Sequence, residues 1–213
     1  MDSIDYKNLY QLQDRVLDEV FKTEEIFYLT GGTCLSRFYH QKRYSDDLDF
    51  FTSDNTFFYK AIKNIKIALS SKFKLQEEVN SKDFIRFKIE DILQVDFIND
   101  RVYRYGDSKL LKNGYYIDNI ENILANKLTA VIGRDNPKDI FDIYLIDKFY
   151  DIDYSKILSI AHKKAVFDNN ELIIRLKTFP KRLLHSIFLI DKNFLDDFDE
   201  NFSKIINSLE LNI

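Results

Sequence analysis

The chain is poor in the residues that punctuate or staple a fold. It has one cysteine, two prolines, five glycines and no tryptophan in 213 residues. A lone cysteine, Cys34, excludes an intrachain disulfide scaffold and fits a reducing compartment. With no histidine partner in a motif, it reads as a buried small side chain. His40, His162 and His185 show no metal-ligand spacing, so a zinc centre is not expected. The start, MDSIDYKNLYQLQDRV, lacks the basic opening and apolar run of a signal peptide. No window approaches the roughly 18 uninterrupted apolar residues of a membrane span. A formal net charge of −4 removes a global basic field for nucleic acid, though not a local patch. Apolar residues make up 45% and charged residues 31%, the balance of a soluble globular protein that builds its own core. The expected location is cytoplasmic, with no membrane partner.

Against this scarcity, two of the five glycines stand side by side at Gly31 and Gly32. They follow a β-rich run, IFYLT (Ile26 to Thr30), and precede a helical segment that Thr33 could cap. Upstream, Leu9, Leu12, Val16, Val20 and Phe21 sit at helical spacing. Downstream, DLDFFT (Asp47 to Thr52) reads as a strand and Thr56 to Lys72 as an amphipathic helix. Strand candidates begin at Phe73 (FKLQEEV), Asp83 (DFIRFKI) and Ile92 (ILQVDFI). After a polar connection, NDRVYRYGDSKLLKNG, the pattern becomes helix-periodic. The helices expected there are Asn119 to Ile132, Pro137 to Tyr150, Tyr154 to Phe167, Asn170 to Phe179, Lys181 to Ile190 and Phe194 to Leu209. Pro137 suits a first turn, and Pro180 marks a break. The expected fold is α+β: an N-terminal α/β domain with a mixed sheet (residues 1–116), then a C-terminal helical bundle (117–213).

Strand alternation places Asp47 and Asp49 on one face, with Leu48 and Phe50 on the other. In ILQVDFI, Ile92 is out of phase. Val95 and Phe97 share a face, and Asp96 takes the opposite one. If these strands are neighbours, three carboxylates converge and require a cation. Oxygen donors favour Mg²⁺ or Mn²⁺. Bare backbone at Gly31 and Gly32, opening a helix, suits a phosphate at the N–H groups of Gly32, Thr33 and Cys34. Taken singly, a Gly-Gly is more often a tight turn and an Asp-x-Asp a solvated strand end. Their conjunction, with Asp96 in matching phase, favours metal-dependent phosphoryl or nucleotidyl transfer.

The run GGTCLSRFYHQKRYSDDLDFF resembles the Gly-Gly/Ser … Asp-x-Asp signature of the polymerase-beta-like nucleotidyltransferases. In the form GGT-x-L … R-x-S-x-D-L-D-F it is similar to the AbiEii/AbiGii-type nucleotidyltransferase toxins. NKLTAVIGRDNPKDIFDIYLI (Asn126 to Ile146) resembles that family's later motif. The resemblance implies that the first domain is nucleotidyltransferase-like. It implies that Asp47 and Asp49 hold two Mg²⁺ ions on a nucleoside triphosphate, and that Asp96 ligates the ion activating an acceptor hydroxyl. Lys127 would neutralise the triphosphate, with a solvated helix lysine as the plain alternative. Arg43 would touch phosphate or cap the site, and Asp139 matches a position tied to activity. Asp142 reads more simply as a helix pair with Lys138. The implied acceptor is a tRNA 3′ end, another RNA or a protein hydroxyl. The implied setting is a toxin-antitoxin or phage-defence system with a cognate antitoxin. An inactive nucleotide- or partner-binding protein on the same scaffold is the alternative, and an RNA-binding adaptor is a third. For the adaptor, Lys163, Lys164, Lys177, Lys181 and Arg182 could line an RNA path, although solvated bundle faces explain them equally simply.

Overall fold

The computed structural model describes residues 5–212. Residues 1–4 and 213, the outermost ends of the two expected domains, lie outside them. The first apolar stripe forms α1 (Tyr6–Thr23), burying Leu9, Leu12, Val16, Val20 and Phe21. The Asp5 carboxylate starts this helix by accepting from the N–H groups of Lys7 and Asn8 at 3.1 and 3.2 Å. There follow β1 (Tyr28–Thr30), α2 (Gly31–Phe38), β2 (Leu48–Ser53) and α3 (Phe58–Ser70). Next come β3 (Leu75–Ser81), β4 (Phe84–Ile89) and β5 (Leu93–Asp100).

The segment read as a polar connection contributes two short strands, β6 (Lys109–Leu110) and β7 (Tyr116–Ile117). Strands of two residues show no period. They form because a neighbour offers an edge, with Leu29 of β1 opposite Ile117 in parallel register. The strands make one mixed sheet of order β3-β4-β5-β2-β1-β7-β6. Within it β2 and β5 are parallel, while β1 is antiparallel to β2 and β4 to β5.

One face of the sheet is the core. Leu48, Phe50, Ile85, Phe87, Val95 and Phe97 are fully buried, and α1 packs on α3 and on β5. The Phe50 and Phe97 rings stack at 5.1 Å. Burial of each such side chain contributes about 1.5–3 kcal/mol. Alternation therefore commits the opposite face, which carries Asp49 and Asp96, to polar work.

The helices after the sheet are α4 (Ile120–Gly133), α5 (Pro137–Phe149), α6 (Tyr154–Lys164), α7 (Asn169–Thr178) and α8 (Phe198–Glu210). Asn119, Asn136, Asp153 and Asp168 cap the first four with their side chains, and Pro137 stands in the first turn of α5. α4 packs against α5, α6 and α7. Between α7 and α8, Lys181–Ser186 is a 3₁₀ turn and not the expected α-helix. Only six residues separate Pro180 from extended backbone at Ile187, and so short a run tightens to i→i+3 bonding.

The chain divides into two compact units. The sheet unit holds the chain up to Cys34, Ser45–Arg101 and Asp107–Asp118. The helical unit holds Leu35–Tyr44, Val102–Gly106 and the chain from Asn119 onward. A single boundary near residue 116 was the linear expectation; the units are instead discontinuous, and Arg43 belongs with the helices. No helix among the described residues is long and apolar enough to cross a membrane.

Candidate active site

In the sheet unit, Gly31 directly follows β1 and opens α2 with φ of +71°. A Cβ at this position would lie 2.8 Å from Asp49 Oδ2. An L side chain would therefore be strained by the backbone angle and would strike the carboxylate. Besides the phosphate approach expected from sequence, the bare backbone has this internal reason: it lets Asp49 in.

Asp49 sits between two neighbours on the sheet, opposite Thr30 of β1 and opposite Asp96 of β5. Asp47 immediately precedes β2, in a loop fixed from three sides. Gln13 of α1 is fully buried, and its amide donates to the Ser45 carbonyl at 3.1 Å. The Ser45 N–H donates to the Tyr10 hydroxyl at 3.1 Å. Thr33 Oγ1 lies 2.8 Å from Ser45 Oγ and also bonds the Asp47 carbonyl. The expected capping role of Thr33 is thus corrected. α2 begins at Gly31, so Thr33 is inside the first turn, and its hydroxyl ties the helix to the loop carrying Asp47. Gln13, Tyr10 and Ser45 were missed by motif reasoning. The available signal was a glutamine on the apolar stripe of α1.

Asp96 is 5% exposed and engaged on both oxygens. Arg86, its cross-strand partner on β4, donates from Nε to Oδ1 at 2.8 Å and from Nη2 to Oδ2 at 2.7 Å. Gln94 Nε2 adds a third bond to Oδ2 at 3.1 Å. Such a charge-assisted fork is about twice as strong as a neutral pair. Hydrogen bonding to Asp96 holds the Arg86 guanidinium above its ordinary range, and Asp49 adds to the effect. Asp49 and Asp96 therefore stand in register, while the cation answering Asp96 is a side chain. Among the described residues, no group of three or more His, Cys, Asp or Glu is placed to hold a metal ion. Asp47 and Asp49 remain as carboxylate donors of the kind Mg²⁺ takes.

The helical unit carries a buried network of ion pairs. Arg43 is 2% exposed and forks onto Asp142, Nε to Oδ1 at 2.8 Å and Nη2 to Oδ2 at 2.9 Å. Its Nη1 donates to the Tyr44 carbonyl at 2.9 Å. The guanidinium expected at phosphate is thus committed inside the protein. Lys127 is 9% exposed, with Nζ 2.7 Å from Asp142 and 2.9 Å from Asp139. It is therefore not a solvated helix lysine. Arg134 reaches the other Asp139 oxygen at 2.7 Å. Asp142 was expected to pair with Lys138 on its own helix; its oxygens are instead held by Arg43 and Lys127. Burial alone would lower the Lys127 pKa, but Asp142 and Asp139 more than reverse it. Burial would likewise raise Asp142, and Arg43 and Lys127 hold it below the carboxylate range.

Cys34 is buried, and burial followed by Asp118 pushes its thiol up. Of the lysines considered for an RNA path, Lys177 and Lys181 pair with Glu210 and Asp199. Lys164 donates to the Tyr103 carbonyl at 2.8 Å, and Lys163 lies over the Tyr103 ring.

Comparison with known proteins adds a family-level match. The family model described as nucleotidyl transferase AbiEii toxin, type IV toxin-antitoxin system, matches residues 15–211. An uncharacterized Aquifex aeolicus protein is 25% identical over 188 residues, spanning 84% of this chain and 85% of that one. JHP933 from Helicobacter pylori superposes with a TM-score of 0.58 at 21% identity, over 100% of this chain and 93% of its own. MenT4, a nucleotidyltransferase toxin of Mycobacterium tuberculosis, does so with a TM-score of 0.57 at 15% identity, over 97% and 84%. At these identities the superpositions speak to the fold, an α+β nucleotidyltransferase-like arrangement with C-terminal helices.

Proposed function

The chain belongs to the AbiEii nucleotidyl transferase toxin family, and on that premise we propose that it moves a nucleotidyl group from a nucleoside triphosphate to an acceptor hydroxyl. The observation that carries this reading is the pairing of Asp49 with Asp96 on adjacent strands, with Asp49 packed against Gly31 where α2 begins. Asp47 and Asp49 are the donors proposed for Mg²⁺ or Mn²⁺. Bound there, the ion would screen the triphosphate and polarise its oxygens. The first-turn amides at Gly31, Gly32 and Thr33 are donors that a helix leaves without intrahelical acceptors, and the helix dipole favours an anion there. The chain's own contribution is placement: Thr33 fixes the Asp47 loop and Gly31 admits Asp49. The acceptor hydroxyl gives up its proton to solvent as its oxygen attacks the α-phosphorus, and the new bond forms as the bond to pyrophosphate breaks.

The acceptor in this reading is RNA with a 3′ hydroxyl, such as tRNA. The macromolecular partner is a cognate antitoxin, and the setting is the cytoplasm. Lys127 and Asp139, which the family motif marks for activity, are proposed to contribute through the intact network of their own unit. Incubating the protein with each labelled NTP, Mg²⁺ and a total RNA or protein extract should label RNA. Label in the protein fraction would move the acceptor. No label above an Asp47→Ala/Asp49→Ala control, with any of the four nucleotides, would end the reading. The fork on Asp96 favours one second reading, a nucleotide-binding protein without turnover. Calorimetry showing nucleotide binding indifferent to Mg²⁺, with no pyrophosphate released, would select it.

A further inference from the structure

Four strands bring their site-bearing ends to the same end of the sheet. β1 stops there and Gly31 follows it; Asp47 leads into β2; Gln94 is the second residue of β5, and Lys88 the second-last of β4. On β4, Ile85, Phe87 and Ile89 are buried in the core, so alternation turns Arg86 and Lys88 to the polar face. Lys88 thus stands beside the rank formed by Arg86, Asp96 and Asp49 on adjacent strands. Its paired neighbours are both neutral amides, Gln76 on β3 and Gln94 on β5. Lys88 is half-buried, and its ammonium has no hydrogen-bond or ion-pair partner among the described residues. The other lysines of this unit that lack such a partner are all exposed. Arg86 is committed to Asp96 by a two-bond fork, so the cation still unanswered at this end of the face is Lys88. Partial burial of an ammonium without an anion is unfavourable, and a phosphate oxygen supplies the missing charge-assisted bond. A stem packed on the strand with its ammonium in water is the plain alternative.

We infer that Lys88 grips a backbone phosphate of the acceptor RNA, so that the acceptor strand enters over β4 and β5 while the nucleoside triphosphate lies at β1 and α2. The strand order carries this placement. β4 and β1 are separated by β5 and β2, which sets them about 14 Å apart at the usual strand spacing. A phosphate on the first-turn amides of α2 is therefore out of reach of Lys88. An RNA acceptor brings a second source of phosphate, because its backbone carries a charge beside the terminal nucleotide. Contacts to such phosphates set the register of a nucleic acid without reading its sequence. A protein hydroxyl brings no fixed anion of this kind. The inference rests on the nucleotidyl-transfer reading with an RNA acceptor, but its test uses binding and not transfer.

The probe is a fluorescein-labelled single-stranded RNA about 12 nucleotides long with a free 3′ hydroxyl. Its binding to the nucleotide-free protein is followed by fluorescence anisotropy across a salt series. Lys88→Met keeps the stem and removes the charge. It should weaken binding alike for oligonucleotides of different sequence. It should also flatten the plot of log affinity against log salt by about 0.7, the share of one phosphate contact on a single strand. A stem that merely packs would not move that slope. Lys88→Arg should restore both affinity and slope. Lys60→Met, at an exposed position of α3, should change neither. Affinity for an NTP with Mg²⁺, by calorimetry, should stay within about twofold in Lys88→Met, since phosphates at α2 lie beyond a screening length. Should Lys88→Met not fold, Lys88→Gln carries the same arms. The inference is overturned if the slope does not change, if Lys60→Met lowers it equally, or if NTP affinity falls as far as RNA affinity. RNA that does not bind at all also overturns it, and Asp47- and Asp49-dependent label in the four-nucleotide assay would then still uphold the transfer reading. A slope that responds to Lys88 with no label in that assay would keep the RNA contact and end the transfer reading.

Discussion

The two units each carry a cluster of aspartates answered by basic side chains, and the clusters end in opposite states. In the helical unit, Arg43, Lys127 and Arg134 close on Asp139 and Asp142, and both carboxylates are almost wholly buried. In the sheet unit, Arg86 forks onto the buried Asp96, while Asp47 and Asp49 stay half-buried beside the start of α2. A closed network fixes structure, because breaking one member strands a buried charge. The same residue types do different work according to how far they are withdrawn from water.

The largest expected effect breaks the closed cluster. Asp142→Ala leaves Arg43 and Lys127 buried with a partner missing, and should cost about 3–5 kcal/mol in urea unfolding. Asp49→Asn in the sheet unit removes one of two adjacent negative charges and should leave stability within about 1 kcal/mol, while abolishing label transfer. Equal losses from the two substitutions would erase the distinction between the clusters.

A smaller effect separates strain from contact at Gly31. Gly31→Ala meets both a positive φ and Asp49 at 2.8 Å. Gly114→Ala meets a positive φ of +87° in open space, with nothing within 4 Å. Strain alone should cost about 1–2 kcal/mol at Gly114. Gly31→Ala should cost about 1–3 kcal/mol, the larger loss of the two, and should also weaken Mn²⁺ binding. Matching losses with Mn²⁺ binding intact would show that Asp49 does not depend on the bare backbone.

The sheet-unit rank was legible in the sequence because period-two alternation is local. Leu48, Phe50, Val95 and Phe97 announce the buried face, and Asp49 and Asp96 then have only one face left. Thr33 shows the limit of that logic. A helix start was readable, but not its offset, and two residues decide whether the hydroxyl caps a helix or holds a loop. Arg86 lay in a recognised strand, yet its meaning depends on which strand pairs with which. The Arg43–Asp142 fork joins residues 99 apart, and no spacing rule reaches across such a separation. β6 and β7 were missed because two residues carry no pattern.

The smallest expected effect sharpens the comparison by showing that the closed cluster does not titrate near neutrality. Asp142 has a lowered folded pKa, so its contribution is present above its unfolded value of about 3.9 and is lost as pH falls through the folded value. Lys127 has a raised one, so its contribution is present below about 10.4 and is lost as pH rises through the folded value. Between those limits the pair adds no slope. A shallow slope should come instead from His40, whose ring stacks on Phe149 at 3.8 Å and bonds the Tyr150 hydroxyl at 3.1 Å. Burial, and then Lys42, lowers its pKa. As pH falls through about 6.5 the unfolded chain takes up the proton and the folded chain resists it, so stability declines until the folded pKa is passed. His40→Phe keeps a ring on Phe149 and removes the titration. Subtracting its unfolding free energy from that of the unaltered chain between pH 5 and 7.5 cancels the other groups. The difference should fall as the medium is acidified. A flat difference would assign the neutral-range slope to some other group and leave the ring stack without a role in it.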